Sequence, residues 1–95
     1  MADYSLTGSA KSDISNLYEY GVDRFGLFQA DDYLSGLFSH FEQIATTPRL
    51  FVKVDHIRPG YRRSVYGSHA VYFRERNGGI LIVRILGRQD PVQAF

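Results

Sequence analysis

Apolar side chains recur at helical intervals through the first half of the chain. Ala10, Ile14, Leu17, Tyr18, Gly21, Val22 and Phe25 fall three and four residues apart, the stripe of an amphipathic helix. Thr7 or Ser9 can serve as its N-cap and Gly26 as its stop, which predicts roughly four turns over about residues 9 to 25. Ala30, Tyr33, Leu34, Leu37, Phe38, Phe41, Ile44 and Ala45 keep the same rhythm until Thr47 and Pro48, where a proline disfavours helix in the residue before it. So short a joint makes the two helices antiparallel neighbours. Ahead of them, Asp3 to Thr7 alternates over a length that suits one edge strand.

From Tyr61 the period changes from helical to alternating. YRRSVY, HAVYFRER and GGILIVRIL are strand-like runs separated by Gly67-Ser68 and Asn77-Gly78, pairs that suit two-residue hairpin turns. Uniform pairing across such turns predicts both faces of a three-stranded meander. Arg62, Ser64, Tyr66, His69, Val71, Phe73, Ile80, Ile82, Arg84 and Leu86 share one face; Tyr61, Arg63, Val65, Ala70, Tyr72, Arg74, Leu81, Val83 and Ile85 share the other. The helices are expected on the Val71, Phe73, Ile82, Leu86 face, which has fewer long polar side chains near its middle. RLFVKV reads as an irregular strand or packed loop, Arg58-Pro59-Gly60 as a turn, and Pro91 as the end of any strand. The fold class is α+β: an N-terminal strand and an antiparallel helical hairpin packed on a three- to four-stranded antiparallel sheet, in a single domain over residues 1–95.

The last strand, ILIVRIL, is apolar on both sides, whereas a sheet with one wet face should alternate. The hairpin covers one face only. Leaving five or six apolar side chains of the other in water forgoes about 5 to 10 kcal/mol at about 25 cal/mol/Å², comparable with the stability of a whole small domain. A partner chain on that second face is the expectation.

Composition narrows the classes. A 44% hydrophobic content over 95 residues supports one core and not two. The absence of cysteine removes disulfide and thiolate–metal chemistry and suits a reducing, cytoplasmic setting. No long apolar run and no basic-then-apolar leader occurs, so neither membrane insertion nor export is expected. Charge is divided unevenly: residues 1–48 carry two cations and seven anions, net −5, and residues 49–95 carry nine cations and three anions, net +6. A basic half of this kind faces an acidic protein or a nucleic acid, unless its arginines serve only solubility.

IRPGYRRSVYGSHAVYFRER and GGILIVRILGRQDP, preceded by YEYGVDRFG and FEQIATTPRL, resemble the ParE toxins of bacterial toxin–antitoxin modules, within the wider RelE/ParE superfamily. The most specific matches are Gly60-Tyr61-Arg62, Gly67-Ser68-His69, Tyr72-Phe73-Arg74 and Arg84-Ile85-Leu86 followed by Asp90-Pro91. The resemblance implies a toxin held inactive in a hetero-oligomer with a ParD-type antitoxin, whose C-terminal segment wraps over it. It also implies that the free toxin stalls DNA gyrase on cleaved DNA. Such a toxin acts by binding, with no cofactor and no direct sequence-specific nucleic-acid recognition. On this reading an antitoxin helix and extended arm, apolar on one side and acidic on the other, cover the meander and part of the helical pair and engage Tyr61, Arg63, Tyr72, Arg74 and Leu81. Arg84 and Arg88 are the expected target contacts, because the resemblance implies that the C-terminal region matters for toxicity.

One departure raises a rival. Where ParE sequences usually read ILH, this chain has Ile85-Leu86-Gly87, closer to the RelE branch of ribosome-dependent mRNA endoribonucleases. That chemistry needs a base for the ribose 2′-hydroxyl, an acid for the leaving oxygen and cations for the phosphorane. RelE-like toxins use a tail Tyr or His, and GRQDPVQAF has neither. His69 is the candidate base, although its place after a hairpin turn favours a structural role. Arg74 is the candidate phosphate clamp, with an ion pair to Glu19 or to an antitoxin carboxylate as the alternative. His40 and His56 lack metal-ligand spacing, and no glycine-rich phosphate loop occurs.

Overall fold

Thr7 is where the first strand hands over to the first helix, and its side chain serves both. In the computed structural model, which describes residues 3–87 and 91–95, β1 spans Asp3–Leu6 and α1 Gly8–Phe25. Thr7 Oγ1 accepts from the Ala10 N–H at 3.0 Å as N-cap, and donates to the Val83 carbonyl at 2.8 Å. Gly26, at φ 89°, is the single residue between α1 and α2 (Leu27–Thr46), a backbone angle that glycine adopts without strain. The helices run back along one another, with Gly21 against Ala30 and the Tyr18 hydroxyl donating to Asp31 Oδ1 at 2.5 Å. A 3₁₀ turn at Pro48–Leu50 leads to β2 (Val52–Lys53), and the meander follows as β3 (Arg62–Tyr66), β4 (His69–Arg76) and β5 (Gly79–Leu86). A short helix, α3 (Pro91–Ala94), lies in the tail.

The expected helices, meander and turns are all present; the sheet differs in one respect. It has five strands in the order β1-β5-β4-β3-β2, and β1 lies parallel to β5, so the sheet is mixed rather than antiparallel throughout. The crossover that a parallel pair requires is long, running through α1, α2 and strands β2 to β4 before β5 returns beside β1. Gly79 opposes Asp3, and a Cβ there would collide with the Asp3 carbonyl.

A bulge in β5 corrects the predicted faces. Phe73 pairs with Ile82 but Tyr72 pairs with Arg84, so one residue of β5 is skipped between them. Every position beyond it moves to the opposite side. Ile85 therefore joins the core under the helices, with Val71, Phe73, Ile80, Ile82, Leu37, Phe41 and Ile44. Leu86, expected there, packs on the far side with Val54, Ala70 and Tyr72.

The far side is also less bare than expected. Ile57, Tyr61, Ala94 and Phe95 fold over that second cluster, leaving Val54, Ala70, Tyr72 and Leu86 at most 9% exposed. The chain's own loop and tail thus supply part of the layer assigned above to a partner.

Past Ile82 β1 has ended, and α1 takes over the edge of β5. The Thr7 N–H donates to the Ile82 carbonyl at 3.0 Å, and Asp13 Oδ2 accepts from the Ile85 N–H at 2.9 Å. The same carboxylate takes a two-pronged contact from Arg84, Nε to Oδ2 at 2.7 Å and a terminal nitrogen to Oδ1 at 3.0 Å. Side-chain exposures of 21% for Arg84 and 9% for Asp13 make this a sheltered pair, and the Asp13 bond raises the already high pKa of the guanidinium.

Two substitutions test this scheme. Asp13→Ala leaves a sheltered guanidinium and the Ile85 N–H without their acceptor, with an expected loss of about 2 to 4 kcal/mol, or roughly 10 to 20 °C in Tm by thermal denaturation. Gly79→Ala is expected to cost about 1 to 3 kcal/mol by forcing β1 from β5; Gly8→Ala, where a Cβ meets nothing within 4 Å, is expected to be neutral within about 0.5 kcal/mol.

Candidate partner-binding surface

The outer face of the sheet has a covered patch and an open margin. Over the covered patch the Phe95 ring stands edge-on to Tyr61 and Tyr72, with centroids 5.6 and 5.3 Å away. Two arginines fasten the backbone of the same segment. Arg58 donates to the Phe95 carbonyl at 2.7 Å and Arg84 to the Ala94 carbonyl at 2.9 Å. Tyr61 is accordingly half-buried and Tyr72 buried beneath the tail.

Around this patch, Arg63 on β3 and Arg74 on β4 are exposed and Leu81 on β5 is half-buried. Arg74 and Leu81 face each other across β4 and β5, while Arg63 opposes Tyr72 across β3 and β4. Val52, opposite Arg63, is 61% exposed and Val65 is 59% exposed, so apolar surface is interleaved with the cations. Neither Arg63 nor Arg74 has an ion-pair partner among the described residues, and Glu19 is not paired with Arg74. Only Arg62 and Arg63 of β3 are paired by β2, which leaves the Ser64–Tyr66 edge without a strand beside it among the described residues.

The five residues read as antitoxin contacts thus share one face, three around the covered patch and two under Phe95. Arg84 is on that face too, but its guanidinium is occupied by Asp13 and Ala94. Arg88 lies outside the described residues. Phe95, Arg58 and Asp13 were not singled out in the sequence; the tail's terminal aromatic was the one available signal, and no local pattern shows where such a ring will land.

The residues considered for RNA chemistry do not converge. His69 and Arg74 are both on β4, five positions apart and on opposite faces, roughly 16 Å along a strand. His69 Nδ1 is 2.7 Å from the Tyr33 hydroxyl, which donates to the Tyr66 carbonyl at 3.0 Å and accepts from the Ser68 N–H at 3.2 Å. With its one proton given to Tyr66, that hydroxyl accepts from His69 in the Nδ1–H tautomer. The arrangement ties α2 to the β3–β4 turn, where Gly67 has φ 56° and a Cβ would come within 2.6 Å of the Tyr33 oxygen. His40 is placed similarly, with Nε2 2.7 Å from the buried Ser64 Oγ and its ring on Tyr66. His56 is exposed. Among the described residues no group of three His, Cys, Asp or Glu could hold a metal ion, and no helix is long and apolar enough to cross a membrane.

Burial lowers the pKa of both His40 and His69. As pH falls through their ordinary value of 6.5, the unfolded chain takes up protons that the folded chain resists. The stability due to the neutral rings is therefore complete above that pH and is lost as acid reaches their lower folded values. Urea denaturation between pH 8 and pH 5 is expected to show a falling midpoint, with a shallower fall in His40→Gln/His69→Gln.

Three comparisons bear on this geometry. The chain is similar to Toxin ParE1 of Caulobacter vibrioides, at 38% identity over 94 residues that cover 99% of this chain and 97% of the relative. It is similar to Toxin ParE1 of Mycobacterium tuberculosis, at 34% over 90 residues covering 94% and 92%. A solved structure of the chromosomal ParDE TA system from P. aeruginosa shares the fold, with a TM-score of 0.78, 19% identity, and coverage of 94% of this chain and 98% of that one. The family model described as the ParE toxin of the type II toxin-antitoxin system, parDE, matches residues 4–91, and the chain belongs to that family.

Proposed function

We propose that this ParE-family toxin arrests growth by binding DNA gyrase, without catalysis of its own, and that a ParD-type antitoxin neutralises it in a cytoplasmic hetero-oligomer by lying across the outer face of the sheet. The observation that carries the antitoxin part is the open margin of that face. Among the described residues neither Arg63, beside Val52 and Val65, nor Arg74, beside Leu81, has an ion pair, and the free Ser64–Tyr66 edge continues from Arg63. An extended acidic segment can add to such an edge while its carboxylates meet the two guanidinium groups. The family match, and the relation of the fold to a ParDE system, support the same partner.

The preference for binding over catalysis rests on the separation of His69 from Arg74 and on the engagement of His69 by Tyr33. A base and a phosphate clamp on opposite faces cannot serve one phosphodiester. The role read for Arg84 in target binding is exercised through residues 91–95, which it anchors, and Arg88 is proposed as a direct contact. Tyr61 and Tyr72 contribute to antitoxin binding as the floor beneath Phe95, with Arg63, Arg74 and Leu81 as direct contacts.

Two measurements test the reading. Cells expressing the chain are expected to show replication arrest and a DNA-damage response, and the purified toxin to inhibit gyrase supercoiling at micromolar concentration. Untouched supercoiling together with message cut on ribosomes would establish the RelE-type alternative. Arg74→Ala and Arg63→Ala are each expected to weaken the cognate antitoxin complex by about 1 to 2 kcal/mol, more at low salt than at high; losses below about 0.5 kcal/mol at both would remove the open margin from the interface.

A further inference from the structure

On the helical side of the sheet, beside the β3–β4 turn, the joint where α1 turns into α2 carries a second concentration of apolar surface. Within nine residues Tyr20, Phe25, Leu27 and Phe28 are 57, 58, 56 and 88% exposed. Beside them a cavity of about 240 Å³ opens between α1, α2 and the β3–β4 turn, lined by Leu17, Tyr20, Phe25, Ala30, Tyr33 and His69 among others. It is larger than the roughly 150 Å³ void that accepts benzene, and below the roughly 300 Å³ at which cofactor and drug-sized sites begin. One bulky side chain fits it, and a wider groove past Asn16 and Arg24 continues from the same Leu17, Tyr20, Phe25 and His69 walls.

The walls and the rim define the chemistry of that guest. The Tyr33 hydroxyl at the inner end is already bonded to Tyr66, Ser68 and His69. Among the described residues no buried side-chain nitrogen or oxygen lacks a partner, so the inner end is suited to an apolar group. The surrounding stretch, residues 18–33, holds Glu19, Asp23, Asp31 and Asp32 against Arg24 alone, a net charge of −3, and that guanidinium stands over the Tyr20 ring at 5.3 Å. Two such tips brought together would oppose like charges, which disfavours a second copy of this chain. An acidic segment of the kind proposed for the sheet face is disfavoured here for the same reason.

We propose that this tip is a second docking surface, for a basic partner segment that inserts one aromatic or branched aliphatic side chain between α1 and α2. With cations on the sheet face and carboxylates at the helical tip, the toxin can hold partners of opposite charge at separate places. The inference stands whether the toxin's target is gyrase or the ribosome.

The test uses the full chain, labelled with nitrogen-15 and titrated with two capped peptides, Lys-Lys-Trp-Lys-Lys and Glu-Glu-Trp-Glu-Glu. The lysine peptide is expected to shift the amides of Tyr20, Gly21, Phe25 and Ala30 and to bind at least tenfold more tightly than the glutamate peptide. Phe25→Ser, at an exposed site whose folding is checked by its amide spectrum, is expected to weaken the lysine peptide at least fivefold. Asp23→Asn/Asp32→Asn is expected to reduce the preference between the peptides at least threefold, with the tryptophan contact retained. Equal binding of the two peptides, shifts confined to other surfaces, or no binding at millimolar peptide would overturn the proposal. So would self-association of the free chain that Phe25→Ser abolishes, since a second copy would then be the occupant.

Discussion

Beyond Ile82 the outer edge of β5 has no strand beside it among the described residues, and the polar backbone groups there must find partners or remain costly to bury. Two side chains from the start of α1 meet this need: Thr7 reaches the Val83 carbonyl and Asp13 the Ile85 N–H. Asp13 gathers Arg84 into the same knot, and Arg84 extends it to the Ala94 carbonyl. One carboxylate therefore fixes the helical layer, the end of the sheet and the tail relative to one another. The bulge beside it belongs to the same solution, because skipping a residue of β5 places Ile85 in the core and Arg84 and Leu86 on the outer face.

That knot decides which outer-face residues are open. With the tail held by Arg84 and Arg58, the Phe95 ring stands against Tyr61 and Tyr72 and shelters half the face. Around that shelter lie Arg63, by Val52 and Val65, and Arg74, by Leu81, without ion pairs among the described residues, a composition suited to a partner with carboxylates as well as apolar side chains. On the helical side, beside the β3–β4 turn, the tip has the opposite sign and an apolar recess of its own. Two surfaces that do not attract the same chemistry can each select a different partner.

Much of the architecture was legible from period and punctuation. Gly26, Gly67 and Asn77-Gly78 stop or turn the chain where expected, since positive φ at these places is a local demand that sequence records locally. The stripes ending at Phe25 and Ala45 became α1 and α2 for the same reason, and the pairing of β3 with β4 follows from a two-residue turn. The assignment of Val71, Phe73 and Ile82 to the helical side also holds. The Leu86 side did not, because a bulge has no signature when the strand is apolar on both faces: Ile85 and Leu86 are equally acceptable in either environment.

By itself the chain's order of residues determined the elements, their turns, the split of charge and the family likeness, all of which depend on neighbours close in sequence. Tertiary structure alone decided the parallel seat of β1, the bulge, the Asp13–Arg84 knot and the resting place of Phe95. Each of these joins residues far apart in the chain, and Asp13 and Arg84 are 71 positions apart. Whether two such groups meet depends on the packing of everything between them, which no local pattern encodes.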